Sequence, residues 1–567
     1  MRTLLFHLLL VCSCLDVSAQ WSGNTTPTYP ELIAYYQQLD QAHSEIELYA
    51  MGKSDTDWPI YVCIINGAQD STKTMEKARA TTTILINNAI HPGEPDGVNA
   101  CLIWIDEWIK AGKKTANLPI IAIIPAYNVG GMFNRSSTSR ANQNGPEEYG
   151  FRGNSQNLDL NRDFIKMDSP NAFTFAAIYH ALNPDVFVDT HVSNGADYQY
   201  TLTYIASMKE RMAPSMKTLT YQNCIPTLTS RLKKRKTDVF PYVELTDDIP
   251  DKGIMAFNDL PRYAMGYASL FHSVSFTVET HMLKPFPERV EVTRQFIDEL
   301  VIWTNECAKD IESARKQAID WSNKQTHFKY NYKLTDKADS IRFKGFKAIY
   351  QTSDVTGLIR LLYDQQQPYT KNIPHFNTYK SVDSVAIPRF YIMSGSNEEI
   401  IRRLDANGVK YYRENMDSLV GVTVNHVSTY ESPKQPYESH YLHSRIKTEE
   451  IIDTLFFGKG TIIIPTEQER RLFLLSVFEP KAEDSYFAWN FFDSHLQQKE
   501  YFSPYVFEEI AAQLLEKDPE LAQDFYSKKR TDPAFAASEW DQLFFIYKRS
   551  PNYEKTTANR LPVYSIF

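Results

Sequence analysis

Three short apolar runs each lead into residues that can bind a metal or carry a proton, and no other feature of the chain constrains the fold as much. Residues 82–88 (TTILINN) form a β-branched run that opens into the polar turn 89–96, which holds His91 and Glu94. Residues 185–190 (DVFVDT) run into His191, and residues 273–278 (SVSFTV) run into Glu279. A fourth run, 120–125, reads as another buried strand. Runs this short and apolar suit strands covered on both faces. Helix-length segments separate them. Val98, Leu102, Ile105, Trp108 and Ile109 recur at helical spacing up to Gly112, and residues 288–316 read as one long helix. Strands alternating with helices predict an α/β fold, with a mixed, mostly parallel sheet flanked by helices. Open sheets of this kind place their sites at the carboxyl ends of the strands, where these residues fall.

His91-Pro92-Gly93-Glu94 offers an imidazole and a carboxylate on a tight loop, because Pro92 and Gly93 oppose a helix. Zinc accepts both donor types, and catalytic zinc sites use three protein ligands plus an open position. The tetrapeptide alone would equally suit a surface turn. His191 alone reads as a structural histidine, and Glu279 alone as a salt-bridged carboxylate. Together they complete a His/Glu/His set with a general base, and Asp189 or Ser193 stands close enough in sequence to orient His191. His281 suits a supporting role better than ligation. In the segment 157–163 (NLDLNRD), Arg162 has a planar fork suited to a carboxylate and Asn161 adds an amide donor. Arg152 is a second cation, able to polarise a carbonyl. A solvated loop would explain an Asn-Arg pair on its own.

At 567 residues the chain exceeds one domain of common size, and a net charge of −9 gives no basic footprint for nucleic acid. Arg2, an apolar stretch at 4–15 too short for a bilayer, and Val17-Ser18-Ala19 read as a secretory signal cleaved near Gln20. A membrane anchor, or lipidation at Cys14, fits this segment less well. No other stretch suits a transmembrane helix, so export to a periplasm or the medium is expected. Cys63, Cys101, Cys224 and Cys307 remain after cleavage, widely spaced, and read as buried small side chains with room for one bridge at most. The pattern changes near residue 323. The expected division is a signal peptide at 1–19, a catalytic domain at 20–325 and an α+β accessory region at 326–567. In that last region, 346–351 and 389–393 have strand bias, and Ser396 with Glu399 forms a capping box for a helix ending at Gly408. Ser503-Pro504, Asp518-Pro519 and Asp532-Pro533 each pair a cap residue with proline at the first helical position, which predicts a helical tail.

Taken in order, these motifs make residues 30–310 resemble the zinc carboxypeptidase family, the carboxypeptidase A-like metallopeptidases. HPGE, DLNRD, DTH and VET occur here in the family's order. The resemblance implies one zinc ion held by His91, Glu94 and His191, with Glu279 activating the zinc-bound water. It implies that Asn161 and Arg162 grip a C-terminal carboxylate and that Arg152 polarises the scissile carbonyl. Arg135 and Arg140 rival Arg152 for that place. The family's substrate-binding tyrosine falls to Tyr263 or Tyr267. The implied activity is hydrolysis of C-terminal peptide bonds. Cleavage of peptidoglycan stem peptides on the same fold is the alternative, and a non-catalytic peptide-binding protein is the third reading. The family pattern does not reach past residue 325.

Overall fold

The computed structural model describes residues 21, 23–112, 118–554 and 557–567. The expected signal peptide lies outside the described residues. Contacts divide the chain into two units: residues 1–387, 399–410 and 466–476 form the first, and residues 388–398, 411–465 and 477–567 form the second.

The first unit opens with β1 (Ile46–Lys53), β2 (Pro59–Ile65), β3 (Thr83–Asn87), β4 (Ile120–Ile124), β5 (Val186–Ser193), β6 (Leu202–Ala206) and β7 (Val239–Pro241). The short strands β8 (Glu244–Leu245) and β9 (Ile254–Met255) precede β10 (Val274–His281). Eight of these make one sheet in the order β1-β2-β4-β3-β5-β10-β6-β7. Its centre, β4-β3-β5-β10, is parallel, and antiparallel pairings flank it on both sides. Every residue of β3, β4 and β5 is buried, which is why these strands read as unbroken apolar runs. The order makes β3, β5 and β10 neighbours, and the register sets Glu279 opposite His191 and Asn87 opposite Asp189. Three chemically active strand ends thus meet at one sheet edge.

Helices cover this sheet. Asp96–Lys110 buries Val98, Leu102, Ile105 and Trp108, and its first residue receives Arg289 Nε at 2.9 Å. The single helix expected over 288–316 is in fact two, Phe286–Glu306 and Ala308–Lys324. They break at Cys307, where the Trp303 indole N–H and the Cys307 thiol both donate to Asn223 Oδ1. That anchor comes from a remote segment and leaves no mark in the helix's own sequence.

The first unit does not stop at residue 325. It continues through β11 (His327–Leu334), β12 (Asp339–Thr352), β13 (Ile359–Phe376) and β14 (Tyr379–Ala386). β12 and β13 form a long hairpin, and β13 lies parallel to β9, with His375 opposite Ile254. Phe343 and Ile373 of the hairpin share a core cluster with Tyr198, Tyr200, Phe240 and Ile254. Backbone pairing and aromatic burial join this hairpin to the first compact unit, whose first segment runs to residue 387. The helix Glu398–Ala406 also belongs to this unit, and Gly408, at φ +64°, follows it as expected of a helix stop.

The second unit holds a six-stranded sheet. Its strands are β15 (Phe390–Met393), β16 (Tyr412–Arg413), β17 (Ser418–Glu431), β18 (Ser444–Phe457), β19 (Ile462–Pro465) and β20 (Val563–Ile566), in the order β16-β19-β15-β20-β17-β18. The tail is helical, as its cap-proline pairs predict: Pro504–Lys517, Pro519–Thr531, Pro533–Ala536 and Glu539–Tyr547. Asp518 and Asp532 accept backbone N–H groups at their helix starts, whereas Ser503 occupies its cap position without a side-chain bond. Among the described residues no helix is long and apolar enough to cross a membrane. Cys63, Cys101, Cys224 and Cys307 carry free thiols.

Candidate metal and catalytic centre

His91 sits on the turn that follows β3, closed by the Glu94 N–H donating to the His91 carbonyl at 2.8 Å. That turn brings the Glu94 side chain up beside His191, a residue of β5. His191 Nδ1 lies 3.0 Å from Glu94 Oε2, and His91 Nδ1 lies 3.3 Å from Glu94 Oε1. The two imidazole rings are 4.9 Å apart, and the three side chains offer donor atoms within 4.8 Å of one another. All three residues are buried.

The far side of each ring is fixed. His191 Nε2 lies 2.6 Å from Asp189 Oδ2, and His91 Nε2 lies 2.9 Å from Asp159 Oδ1. Of the two residues expected to orient His191, Asp189 does so, while the Ser193 hydroxyl donates to the Thr280 carbonyl. Both Nδ1 atoms are thereby turned onto the Glu94 carboxylate. Beyond that 3.3 Å approach to Glu94, the buried His91 Nδ1 has no hydrogen-bond partner among the described residues. Two imidazole nitrogens and a carboxylate oxygen, each ring backed by its own carboxylate, are a donor set that fits zinc.

Charge around this set is dense. Arg140 Nη1 donates to Glu94 Oε1 at 2.6 Å, and its other nitrogens are held by the Val192 carbonyl and Gln143. Burial raises the Glu94 pKa, but Arg140 and the two histidines outweigh it and hold the carboxyl well below the usual range. Asp159 behaves alike: burial opposes ionisation, and His91, Arg152 and Arg162 override it. Glu279 moves the other way. Burial first, then the nearby Glu94 and Asp189 carboxylates, push it up to about 8 against the pull of His191. Its Oε2 is buried and makes no hydrogen bond. His281 donates through Nε2 to the Ala196 carbonyl at 3.0 Å and accepts the Leu283 N–H at Nδ1, and it lies outside the metal-binding group, in keeping with a supporting role.

A cleft of about 330 Å³ joins these groups to the second motif. His91, Glu94, His191, Glu279, Arg140, Arg152, Asn161, Arg162 and Tyr263 all line it. Asn161 Oδ1 accepts the Ala264 N–H at 3.0 Å, and Arg162 lies 4.7 Å from the Tyr263 ring centre. Arg152 grips Asp159 and reaches within 3.5 Å of Glu94. Two candidates are not in the cleft. Arg135 is spent on the backbone carbonyls of Thr26, Pro27 and Glu148. Tyr267 is 1 % exposed, its hydroxyl bonded to Asn407 and His180, because the helix Ala264–Ser269 turns it into the core.

Sequence reasoning missed Asp159 as the partner of His91, although it lies inside the DLNRD motif. It also missed Tyr242, Phe257, Ile205 and Met265 in the cleft wall. These carry no local signal, since apolar and aromatic residues there look like any core position.

The zinc carboxypeptidase family model matches residues 32–184, a span that includes His91, Glu94, Asn161 and Arg162 and ends just before His191. No curated protein matches the chain. Among solved structures, a metallo-carboxypeptidase from Burkholderia cenocepacia is similar at 17% identity, covering 49% of this chain and 69% of that one, with a TM-score of 0.35. Carboxypeptidase A from Helicoverpa armigera is similar at 15% identity, covering 52% and 75%, with a TM-score of 0.37. Residues 32–184 of the chain are thus similar to the zinc carboxypeptidase family.

Proposed function

We propose that the first unit is a zinc metallocarboxypeptidase that removes C-terminal residues from peptides. The observation that carries this reading is the meeting, in one cleft, of a buried His/Glu/His donor set, the Glu279 carboxylate, whose buried Oε2 has no hydrogen bond among the described residues, and an Asn-Arg pair. His91, Glu94 and His191 would hold one zinc ion, which when bound supplies Lewis acidity to a carbonyl and acidifies a water ligand.

The chain's own residues do the rest. Asn161 and Arg162 receive the terminal carboxylate of the substrate. Ala264 N–H takes the Asn161 oxygen, which turns the amide N–H groups toward an acceptor. Tyr263 stacks on the Arg162 guanidinium and limits its swing. Arg152, anchored by Asp159, stands at the cleft to polarise the scissile carbonyl, while Arg140 is committed to holding Glu94 in place. Glu279 takes a proton from the attacking water and returns it to the leaving amine, a task suited to a carboxylate whose pKa burial has raised.

Glu279→Gln tests the assignment. The variant keeps stoichiometric zinc and loses about 10²-fold or more in kcat on a C-terminally free peptide. Turnover near that of the parent protein would remove Glu279 from the mechanism.

A further inference from the structure

The helical tail of the second unit builds a core of its own, in which Phe507, Ala511, Phe525, Phe535, Leu543 and Ile546 pack together. The helices do not close over that core. They leave a groove of about 700 Å³, in which Ala511, Phe525, Leu543 and Ile546 form a buried apolar lining. Small side chains continue it outward: Ala512 on the helix Pro504–Lys517, and Ala536 and Ala537 at the end of Pro533–Ala536. Side chains this small let another helix approach closely. Gln542 donates to the Ala536 and Ser538 carbonyls at 3.1 and 3.3 Å, which ties the last helix to the turn before it and fixes that wall.

The charge of the groove is one-sided. Glu508, Glu516 and Glu539 line it and form no ion pair among the described residues. Lys529 is the one base of the lining, and its ammonium lies 5.7 Å from the Phe525 ring centre. Glu508, Ala512 and Glu516 recur at every fourth residue and so form a stripe along one helix, which sets the two acids about 12 Å apart along its axis. An occupant has to answer these features together. The lining asks for apolar side chains, and the acids ask for bases. The walls are helices, whose interior backbone groups already bond within the helix, so they offer no ladder to an extended strand. A helix satisfies its own backbone and suits such walls. An anionic lipid or a free fatty acid would set its head beside the three carboxylates.

We propose that the tail is a docking module and that its groove takes one amphipathic helix of a partner protein. That helix lays an apolar stripe on Ala511, Leu515 and Leu543 and carries Lys or Arg two turns apart to meet Glu508 and Glu516. The proposal is independent of the carboxypeptidase reading and gives the end of the chain a task of its own.

The test is fluorescence anisotropy with the full chain and a labelled helical peptide of leucine, alanine and lysine, with its lysines two turns apart and its C-terminus amidated. Replacing those lysines with glutamates should weaken binding by about tenfold or more. Ala512→Trp, at an exposed position, fills the groove and should weaken the lysine peptide by about tenfold. Glu508→Lys combined with Glu516→Lys should reverse the preference between the two peptides. Thermal midpoints report folding, and if Ala512→Trp unfolds the tail, the charge reversal, which alters exposed side chains alone, decides. No binding of the lysine peptide, equal affinity for both peptides, or parent-like affinity in a folded Ala512→Trp chain overturns the proposal. Equal affinity for a peptide of the same composition with its leucines scrambled does so too, since it would reduce the effect to attraction by a chain of net charge −9. A dimer of the chain that Ala512→Trp dissolves and the lysine peptide does not would assign the groove to a second copy and overturn it as well. None of these readouts uses turnover, so each leaves the carboxypeptidase reading as it stands.

Discussion

Asp159 and Asp189 each hold the Nε2 of one histidine, and the aim of both Nδ1 atoms depends on them. Partners of this kind fix the tautomer of a ligand and raise its basicity. Asp189→Asn keeps the shape and removes the charge. It is expected to weaken zinc binding by about 10- to 100-fold in competition with a chelator. The substrate side of the cleft separates from the metal side. Arg162→Ala should lower kcat/KM for a free-acid peptide by about 10²-fold, the scale of losing a charge-assisted pair, while zinc affinity stays put. An equal loss on a C-terminally amidated peptide would show that Arg162 does not read the carboxylate. At this scale the sequence was informative, because His91, Glu94, His191, Asn161, Arg162 and Glu279 belong to short motifs whose chemistry is local. Tyr263 and Tyr267 show where that ends. Both are tyrosines within five positions, yet Tyr263, in extended backbone just before the helix Ala264–Ser269, lines the cleft, and Tyr267, inside that helix, is buried.

The helix Glu398–Ala406 illustrates the element scale. Its Arg403 donates through Nε to the Lys166 carbonyl at 2.6 Å and through Nη2 to the Met167 carbonyl, and also pairs with Asp168. Lys166 is itself fully buried between Asp163 and Asp168. The partners, residues 163–168, follow Asn161 and Arg162 directly in the chain. Arg403→Ala strips a buried charge from a network that needs it. The expected cost is on the order of 3 kcal/mol in urea unfolding. If the helix also steadies the loop, KM for free-acid peptides rises while zinc content holds. Helix starts in the tail are a milder case. Asp532 accepts the Phe535 N–H at 3.1 Å, and Asp532→Ala should lower the thermal midpoint slightly. Those caps were readable because the cap residue and its proline are adjacent. The break at Cys307 was not, since its anchor, Asn223, lies in another segment.

At the scale of the whole molecule, stability depends on pH through a buried acid of the second unit. Glu479 in the second unit is buried, accepts a hydrogen bond from the Tyr391 hydroxyl, and is pushed by desolvation from 4.5 up to about 7. Between those values the folded chain keeps a proton that the unfolded chain releases. Raising the pH therefore costs stability: the contribution is whole below pH 4.5 and gone above about pH 7. The full span is on the order of 3 kcal/mol. Glu479→Gln mimics the protonated form, so it should flatten this slope and stabilise the second unit at pH 8. A parent protein whose unfolding midpoint rises between pH 5 and pH 8, relative to the variant, would contradict the assignment.

The metal-site motif set, the parallel centre of the sheet and the helical tail followed from the sequence alone. In each, the information sits within a few neighbouring residues: an apolar run, a ligand at its end, a cap before a proline. The tertiary structure alone decided which atoms of those residues face one another. It assigned Asp159 to His91, set Arg140 on Glu94 at 2.6 Å, buried Tyr267, and carried the first unit to residue 387 by pairing β13 with β9. Such choices depend on strand order, helix phase and burial, which are properties of the packed chain and not of any short stretch of it.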